Sequence, residues 1–296
     1  MALAILRAPG APPAHPAAGA VVMTPETPTP ISVPTVPPHI RTPQQAVRFA
    51  YEVAHGLGYR VDIAVADLAS GKTWRAGDSG TFGTASVVKT MVATAMLLSG
   101  AMHGPDADEA YRMITRSDDE ACTDLWTRFG AEQIIGSLGA HYQRHFGEPN
   151  KRVEYWGNTQ VTASSLVSFY RAVAHDPAVA PWLFDAMAHT TRIAADGTHQ
   201  YFGIPAAGGG HTVKQGWGTA SAGDGFGDNA TVNSTGIVTI GKHRYAVAIL
   251  TEGRHNVPNT DDHGYDHIQG QLVTSIARIV LDALRGTPGA SHASGQ

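Results

Sequence analysis

The sequence predicts an α+β fold in which an antiparallel sheet is flanked by helices and a second lobe is helical. The predicted elements run in the order helix, two strands, several helices, three strands and a closing helix. Strands joined by short turns pair antiparallel, whereas a regular strand–helix alternation would indicate a parallel sheet. The helices between the second and third strands form the predicted helical lobe, and 296 residues are enough to bury a large core.

The local patterns place these elements along the chain. The first helix is predicted to begin at Pro43, because proline is favoured in the first helical turn, and apolar residues recur at helical spacing as far as Val53. Apolar residues alternate over 60–68, which is typical of a strand, and a turn at 70–72 leads to a short return strand. A helix is predicted to start near Ser86. Further helices are predicted over 109–115, 120–129, 131–138, 163–174 and 267–284, and strands over 212–217, 230–240 and 244–251.

Both ends of the chain are predicted to lie outside the folded part. Eleven of the 18 prolines lie at or before Pro43, and such a segment is predicted to be an extended linker or a plain disordered extension. Proline-rich tethers often follow export signals, which favours a secreted or cell-envelope location, although residues 1–6 make no convincing signal peptide. The predicted parts are a tail over 1–41, a domain over 42–287 whose sheet lobe is about 42–85 and 205–287 and whose helical lobe is about 86–204, and a flexible tail over 288–296.

Composition excludes several classes of function. The net charge is −4, and no basic cluster predicts binding to nucleic acid or to an anionic membrane surface. No apolar stretch in the sequence reaches the length of a transmembrane helix. The single cysteine, Cys122, excludes an intrachain disulfide and is predicted to be a small buried residue. We expect a monomer without a cofactor that acts on a small molecule or a peptide.

One serine–lysine pair has the spacing of a nucleophile and its base. Ser86 lies three residues before Lys89, and none of the other four lysines has a serine at that distance. A helix starting near Ser86 would place both side chains on one face, where a buried amine with a lowered pKa could activate the hydroxyl. The alternative is an ordinary helix N-cap followed by a solvated lysine.

Two further motifs follow in the order that one enzyme group uses. They are Ser117-Asp118-Asp119, between predicted helices, and Lys214-Gln215-Gly216, on a predicted strand. With the serine–lysine pair, they resemble the signature of the penicillin-recognising serine enzymes, which comprise serine β-lactamases, D-Ala-D-Ala carboxypeptidases and transpeptidases. The resemblance spans roughly residues 44–285, and the Lys-x-Gly-Trp form of the third motif is similar to class A-related serine hydrolases of actinobacteria.

The resemblance implies a role for each motif residue. Ser86 is expected to be the acylated nucleophile, Lys89 to take its proton, and Ser117 to pass a proton to the leaving nitrogen. Lys214 is expected to supply positive charge for a substrate carboxylate. The remaining motif residues, expected to bind the substrate, are Asp119, Gln215, Gly216 and Trp217, with the backbone N–H groups of Ser86 and Trp217 forming the oxyanion hole.

Three residues depart from the family pattern. Asp119 stands where the family has asparagine, and an ionised carboxylate cannot donate a hydrogen bond to a substrate carbonyl. Its negative charge is expected to raise the pKa of Lys89 and to weaken that amine as a base. Gln215 replaces the usual threonine or serine, which removes a hydroxyl from the carboxylate site, and Trp217 adds a bulky ring at the edge of the cleft.

The base for deacylation is the hardest residue to assign. Class A β-lactamases use a glutamate in their Ω-loop, and Glu148 precedes a proline in a similar way. Glu154 is a second candidate, and the alternative is that either residue is a solvated loop acid. Without such a base, the protein is expected to bind a β-lactam covalently without destroying it efficiently.

The histidines do not predict a competing metal site. His141 and His145 have the spacing of metal ligands on a helix, but no glutamate between them supports a zinc protease. A second group near the closing helix is also predicted to lie on the surface: Asp262, His263, Asp266 and His267.

The function that these motifs predict is a serine hydrolase that forms an acyl-enzyme. Its substrate would be a β-lactam or a peptidoglycan-type amide. Two alternatives stay open, namely a binding protein that keeps the fold without the chemistry, and an esterase for small acyl esters.

Overall fold

A five-stranded antiparallel sheet organises the part of the chain that the structure describes. The computed structural model describes Pro37 and residues 40–131, 133–149, 155–218, 230–253 and 268–286. The five strands of this sheet are β1 (Arg60–Asp67), β2 (Thr73–Gly77), β5 (Val213–Gly218), β6 (Thr231–Ile240) and β7 (His243–Glu252), and a separate short pair consists of β3 (Phe82–Gly83) and β4 (Gln160–Val161). Their order in the sheet is β2-β1-β7-β6-β5, and every neighbouring pair is antiparallel.

Helices cover both faces of the sheet and form the lobe beside it. The first and last helices, α1 and α8, share one apolar cluster with one face of the sheet, while the other face belongs to the cluster that contains α6 and the helices of the lobe. The helices are α1 (Pro43–Gly56), α2 (Lys89–Leu98), α3 (Gly104–Thr115), α4 (Asp119–Arg128), α5 (Gln133–Tyr142), α6 (Ala163–Ala174), α7 (Ala180–Ala188) and α8 (Ile268–Arg285). The α+β fold with an antiparallel sheet, predicted from the sequence, is confirmed.

Strand β1 is buried on both faces. Its alternation of apolar and other residues is more typical of a strand with one face exposed to solvent. Ile63 packs towards α1 and α8 together with Val61 and Val65, whereas Ala64 packs towards α6. Asp62 lies on the α6 side, where its carboxylate accepts a hydrogen bond of 2.7 Å from the backbone N–H of Ala163. Burial raises the pKa of Asp62, and the first turn of α6 supplies the polar partner that a buried carboxylate needs.

Several helix boundaries differ from the predictions. The helix predicted over 109–115 begins at Gly104, since Pro105 is tolerated in a first helical turn. Helix α7, Ala180–Ala188, was not predicted, because its short apolar run has no clear helical period. The segment at Ser86 starts as a 3₁₀ turn, Ala85–Val88, before α2 begins.

The tails and one predicted acidic–histidine group lie outside the described residues. This applies to residues 1–36, residues 288–296 and the group at 262–267. Among the helices that the structure describes, none is both long enough and apolar enough to cross a membrane.

A buried tyrosine links α6 to the sheet. The Tyr170 hydroxyl lies 2.8 Å from Oγ1 of Thr235 on β6, and both side chains are fully buried. Thr235 Oγ1 itself donates to the carbonyl of Lys214 on β5, so the tyrosine is the donor in the first bond. The bond therefore ties the helix to the two strands that border the candidate site.

Replacing this hydroxyl is expected to destabilise the protein. Tyr170→Phe should lower the free energy of unfolding by about 1 kcal/mol, the net value of one buried hydrogen bond. Urea denaturation checks this, with Tyr111→Phe as the control because Tyr111 is 40% exposed. Equal losses in both variants would contradict a structural role for the Tyr170 hydroxyl.

Candidate active site

Ser86 lies on a turn that several elements hold in place. The preceding residue, Ala85, has a φ of 45°, which is left-handed and unfavourable for a residue with a side chain. The backbone of Thr84 donates to the carbonyl of Thr159 at 2.9 Å. The buried amide of Asn233, on β6, donates to the carbonyls of Gly83 and Thr84 at 2.9 and 3.1 Å. A left-handed residue with a side chain is stable only when surrounding contacts fix its backbone, and these hydrogen bonds supply such contacts.

Gly216 brings strand β5 against this turn. A Cβ atom on Gly216 would lie 2.6 Å from the carbonyl oxygen of Thr84 and 3.2 Å from the backbone nitrogen of Ser86. Any side chain at this position would push the strand away from the nucleophile. The glycine of the third motif therefore allows main-chain contact between β5 and the start of the Ser86 turn.

Lys89 is fully buried and meets the second motif. Its Nζ donates to the carbonyl oxygen of Ser117 at 2.7 Å and lies 3.3 Å from the Ser117 hydroxyl. It also forms a salt bridge with the carboxylate of Asp119, whose side chain is 63% exposed. An ammonium group has three N–H donors, so these three acceptors use its full donor capacity.

Lys214 approaches the same serine from the sheet. Its Nζ lies 2.8 Å from the Ser117 hydroxyl and 3.1 Å from the carbonyl oxygen of Gln215. Complete burial lowers the pKa of Lys214 well below its usual value, and the nearby charge of Lys89 lowers it further. This lysine is consequently less able to hold the permanent positive charge that the family resemblance implies.

Ser117 connects the two amines. Its backbone φ of 53° is again left-handed, and its side chain is buried. Because both lysines donate to its oxygen, the hydroxyl proton of Ser117 is available to a different acceptor. The structure thus brings together Ser117, Lys89 and Lys214, with Ser86 one turn before Lys89.

The other residues of the third motif face different surroundings. Gln215 is fully buried, and its side-chain amide donates to the carbonyl of Phe202. Trp217 is partly exposed, and its Nε1 donates to Asp196 at 2.9 Å. The Nζ of Lys214 lies 5.7 Å from the centre of a Trp217 ring. Trp217 thus borders the buried lysine, whereas the Gln215 amide is bonded to the main chain at Phe202.

The candidate acids for deacylation remain predictions. The Glu148 side chain is 66% exposed and pairs with Nε2 of His145 at 3.4 Å. Its backbone forms a bridge to Gln160. Glu154 lies outside the described residues. The carboxylate of Glu148 is therefore turned towards a surface histidine.

The cysteine and the histidine pair were predicted to play no catalytic or metal role. Cys122 is buried, as predicted, and burial raises the pKa of its thiol to about 12. His141 and His145 are exposed and lie near different acids, Asp176 and Glu148. Within the described ranges, no group of three or more potential ligands could hold a metal ion.

Two residues of this region were not foreseen from the sequence. Asn233 lies on β6, a strand that the sequence predicts from its β-branched residues. Its hydrogen bond to the carbonyl of Gly83 joins residues that are about 150 positions apart in the chain. The Trp156 ring lies 4.7 Å from Nζ of Lys89. No spacing rule links Trp156 to that lysine, although its position shortly after the two candidate acids marks a segment near the site.

Solved structures share this architecture. A β-lactamase from Burkholderia phymatum superposes with a TM-score of 0.60 at 18% identity, over 82% of this chain and 99% of that one. A PBP-A variant, solved as an acyl-enzyme complex with penicillin G, superposes with a TM-score of 0.58 at 18% identity, over 82% of this chain and 96% of the other. The chain has the β-lactamase/transpeptidase-like fold. At these identities the likeness defines the fold and leaves the chemistry to the residues.

Relatives by sequence are more limited. Proteins named "Putative lipoprotein LppW" from Mycobacterium tuberculosis and Mycobacterium bovis are 28% identical over an alignment of 183 residues, and the match covers 58% of this chain. The chain spans 58% of the length of these curated relatives. No family model matches the chain. The mycobacterial relatives agree with the actinobacterial type expected from the Lys-x-Gly-Trp motif.

The lowered pKa of Lys214 predicts a dependence of stability on pH. Because the folded pKa lies below the unfolded one, the unfolded chain binds more protons between the two values. Stability contributed at this site therefore increases as the pH rises through that window. Lys214→Met removes the amine, so the unfolding free energy of the wild type relative to this variant should increase from pH 7 to about 10.

Urea denaturation at several pH values measures this difference. Lys242→Met, in the exposed turn between β6 and β7, controls for the loss of one positive charge. A difference between wild type and Lys214→Met that stays constant or decreases with pH would show that the lysine remains fully protonated in the folded protein.

Proposed function

We propose that the protein is a serine hydrolase that forms an acyl-enzyme at Ser86, with a β-lactam or a cell-wall peptide amide as its substrate. The observation that carries the proposal is the convergence of Lys89 and Lys214 on the Ser117 hydroxyl. A surface lysine and a helix cap would not bury two amines around one serine, since burial of an amine carries a desolvation cost that a solvated lysine avoids. The fold supports the general class, since the structural neighbours include β-lactamases.

The proposed acylation uses these groups in sequence. Ser86 Oγ bonds to the substrate carbonyl carbon, and the developing oxyanion is held by backbone N–H groups of Ser86 and Trp217. The C–N bond then breaks, and the Ser117 hydroxyl gives its proton to the leaving nitrogen. The Ser86 proton returns to Ser117 by way of Lys214, which contacts that hydroxyl, so the charge of the site is the same before and after the step.

The two amines have different proposed roles. Lys89 forms a salt bridge with the Asp119 carboxylate. Lys214 has a lowered pKa and contacts Ser117 at 2.8 Å, which makes it the amine better able to accept a proton. We therefore assign proton transfer mainly to Lys214 through Ser117, and electrostatic stabilisation to Lys89.

A non-catalytic binding protein is the second candidate. The salt bridge between Lys89 and Asp119 favours it, because it occupies the amine that the serine–lysine motif would use as the base. The burial of Gln215 also favours it, since its amide is bonded to Phe202 instead of facing the cleft. Under this candidate function the fold would bind a cell-wall peptide without reacting with it.

The relatives bear on the proposed location. The curated relatives are named lipoproteins, which supports a place at the cell envelope. We propose the same location for this chain, where a peptidoglycan-type substrate would be available.

Covalent labelling tests the nucleophile. Wild-type protein should form a fluorescent-penicillin or fluorophosphonate adduct at Ser86, and Ser86→Ala should lose it completely because the attacking oxygen is gone. Ser99→Ala, at the exposed end of α2, should label like wild type. Peptide mass spectrometry locates the adduct. If neither reagent nor a nitrophenyl ester modifies the wild type, the binding-protein function gains support.

Removing the acidic partner of Lys89 should accelerate acylation. Asp119→Asn replaces the carboxylate by an amide, which removes the salt bridge that occupies the Lys89 amine and adds a hydrogen-bond donor for a substrate carbonyl. We expect the acylation rate at pH 7 to increase about tenfold, equivalent to a barrier lowered by about 1.4 kcal/mol.

A time course of fluorescent-penicillin labelling, quenched at set intervals, measures the acylation rate. Asp124→Asn is the matched control, because Asp124 is an exposed acid on the same helix that lies near Arg128. An unchanged or slower rate in Asp119→Asn alone would mean that Asp119 assists catalysis or substrate binding.

A further inference from the structure

Trp156 is fixed next to the nucleophile turn by its own neighbour in the chain. Gly157 packs against Ala85, since a Cβ atom on Gly157 would lie 3.4 Å from Cα of Ala85. The hydroxyl of Thr84 donates to the carbonyl of Gly157 at 3.2 Å. The segment that carries Trp156 therefore touches the two residues that precede Ser86.

The indole ring is held from the opposite side by α4. Its Nε1 donates to Oγ1 of Thr123 at 3.1 Å, and the same hydroxyl donates to the backbone carbonyl of Asp119. The ring face lies 4.7 Å from Nζ of Lys89, a distance at which an ammonium group is attracted to the aromatic face. Trp156 is thus part of the wall that buries the Lys89 amine.

This wall affects the second half of the proposed reaction. Hydrolysis requires a water oxygen to bond to the acyl carbon while a base accepts the water proton, and that proton then passes to Ser86 Oγ as its bond to the acyl carbon breaks. Next to Trp156, the Lys89 amine already contacts two acceptors on Ser117 and the carboxylate of Asp119. The indole face itself carries no group that can accept a proton from water. Glu148, the described candidate acid, is turned towards His145.

We infer that Trp156 keeps hydrolytic water away from the Ser86 acyl ester and thereby makes the adduct long-lived. The inference rests on the proposed function, because it concerns the fate of an acyl group that Ser86 must first accept. It makes Trp156 a positioning residue that controls deacylation and leaves acylation to Ser86, Ser117 and the lysines.

Decay of a preformed adduct tests this role. The full chain is labelled with fluorescent penicillin, freed of excess reagent, and followed by intact-protein mass spectrometry. Trp156→Ala should lose the adduct at least about tenfold faster than wild type, equivalent to a barrier lowered by about 1.4 kcal/mol. Trp156→Phe keeps an aromatic wall and should decay nearly as slowly as wild type. Acylation rates should change much less than decay rates.

Two further variants keep the test informative. Thr123→Val leaves the tryptophan in place but removes its hydrogen-bond partner at an exposed position of α4, and it should accelerate decay to a smaller extent. Trp74→Ala is the matched control, because Trp74 also has a lysine over its ring, Lys72, but lies on β2 at the far edge of the sheet. It should not change the decay.

The outcomes separate the inference from the proposed function. Adducts that form in every variant and decay at one common rate would overturn the role of Trp156 and leave the acyl-enzyme proposal intact. A wild-type adduct that is hydrolysed within seconds would also overturn it. If the wild type forms no adduct, the proposed function fails, and the inference fails with it. Faster decay confined to the Trp156→Ala and Thr123→Val variants supports the inference.

Discussion

Two buried amines share one hydroxyl, and the candidate site depends on this contact. Lys89 belongs to the helical lobe and Lys214 to the sheet, so Ser117 joins the two parts of the molecule at one atom. Two positive charges in such a space would repel each other. The carboxylate of Asp119 balances one of them, and the lowered pKa of Lys214 reduces the other.

The main chain around the nucleophile is fixed by residues that take no part in the proposed chemistry. Asn233 holds two carbonyls just before the left-handed Ala85, and Gly216 allows β5 to touch the same turn. Both come from the sheet. The left-handed conformation of Ala85 is thus fixed by long-range contacts, because a local 3₁₀ turn does not require a left-handed residue before it.

The sequence predicts those parts of the fold that local patterns determine. Turn signals and alternation identified β1, β2 and the β6–β7 hairpin, and helical spacing identified α1, α6 and α8. Helix α7 was missed because nine residues carry too little periodicity. Motif order brought Ser117 and Lys214 into the prediction. The contacts of Trp156 and Asn233 were not predictable, since they join segments far apart in the chain whose approach only the tertiary structure sets.

The contact between Gly216 and the Ser86 turn also constrains motion. Main-chain atoms of residues 84–86 approach β5 closely there, because position 216 carries no side chain. A hinge between lobes needs a layer that can slide or a linker that can bend, and direct main-chain packing provides neither. The spacing between β5 and the Ser86 turn should therefore stay constant, so that any adaptation to a ligand is confined to the side chains around the site.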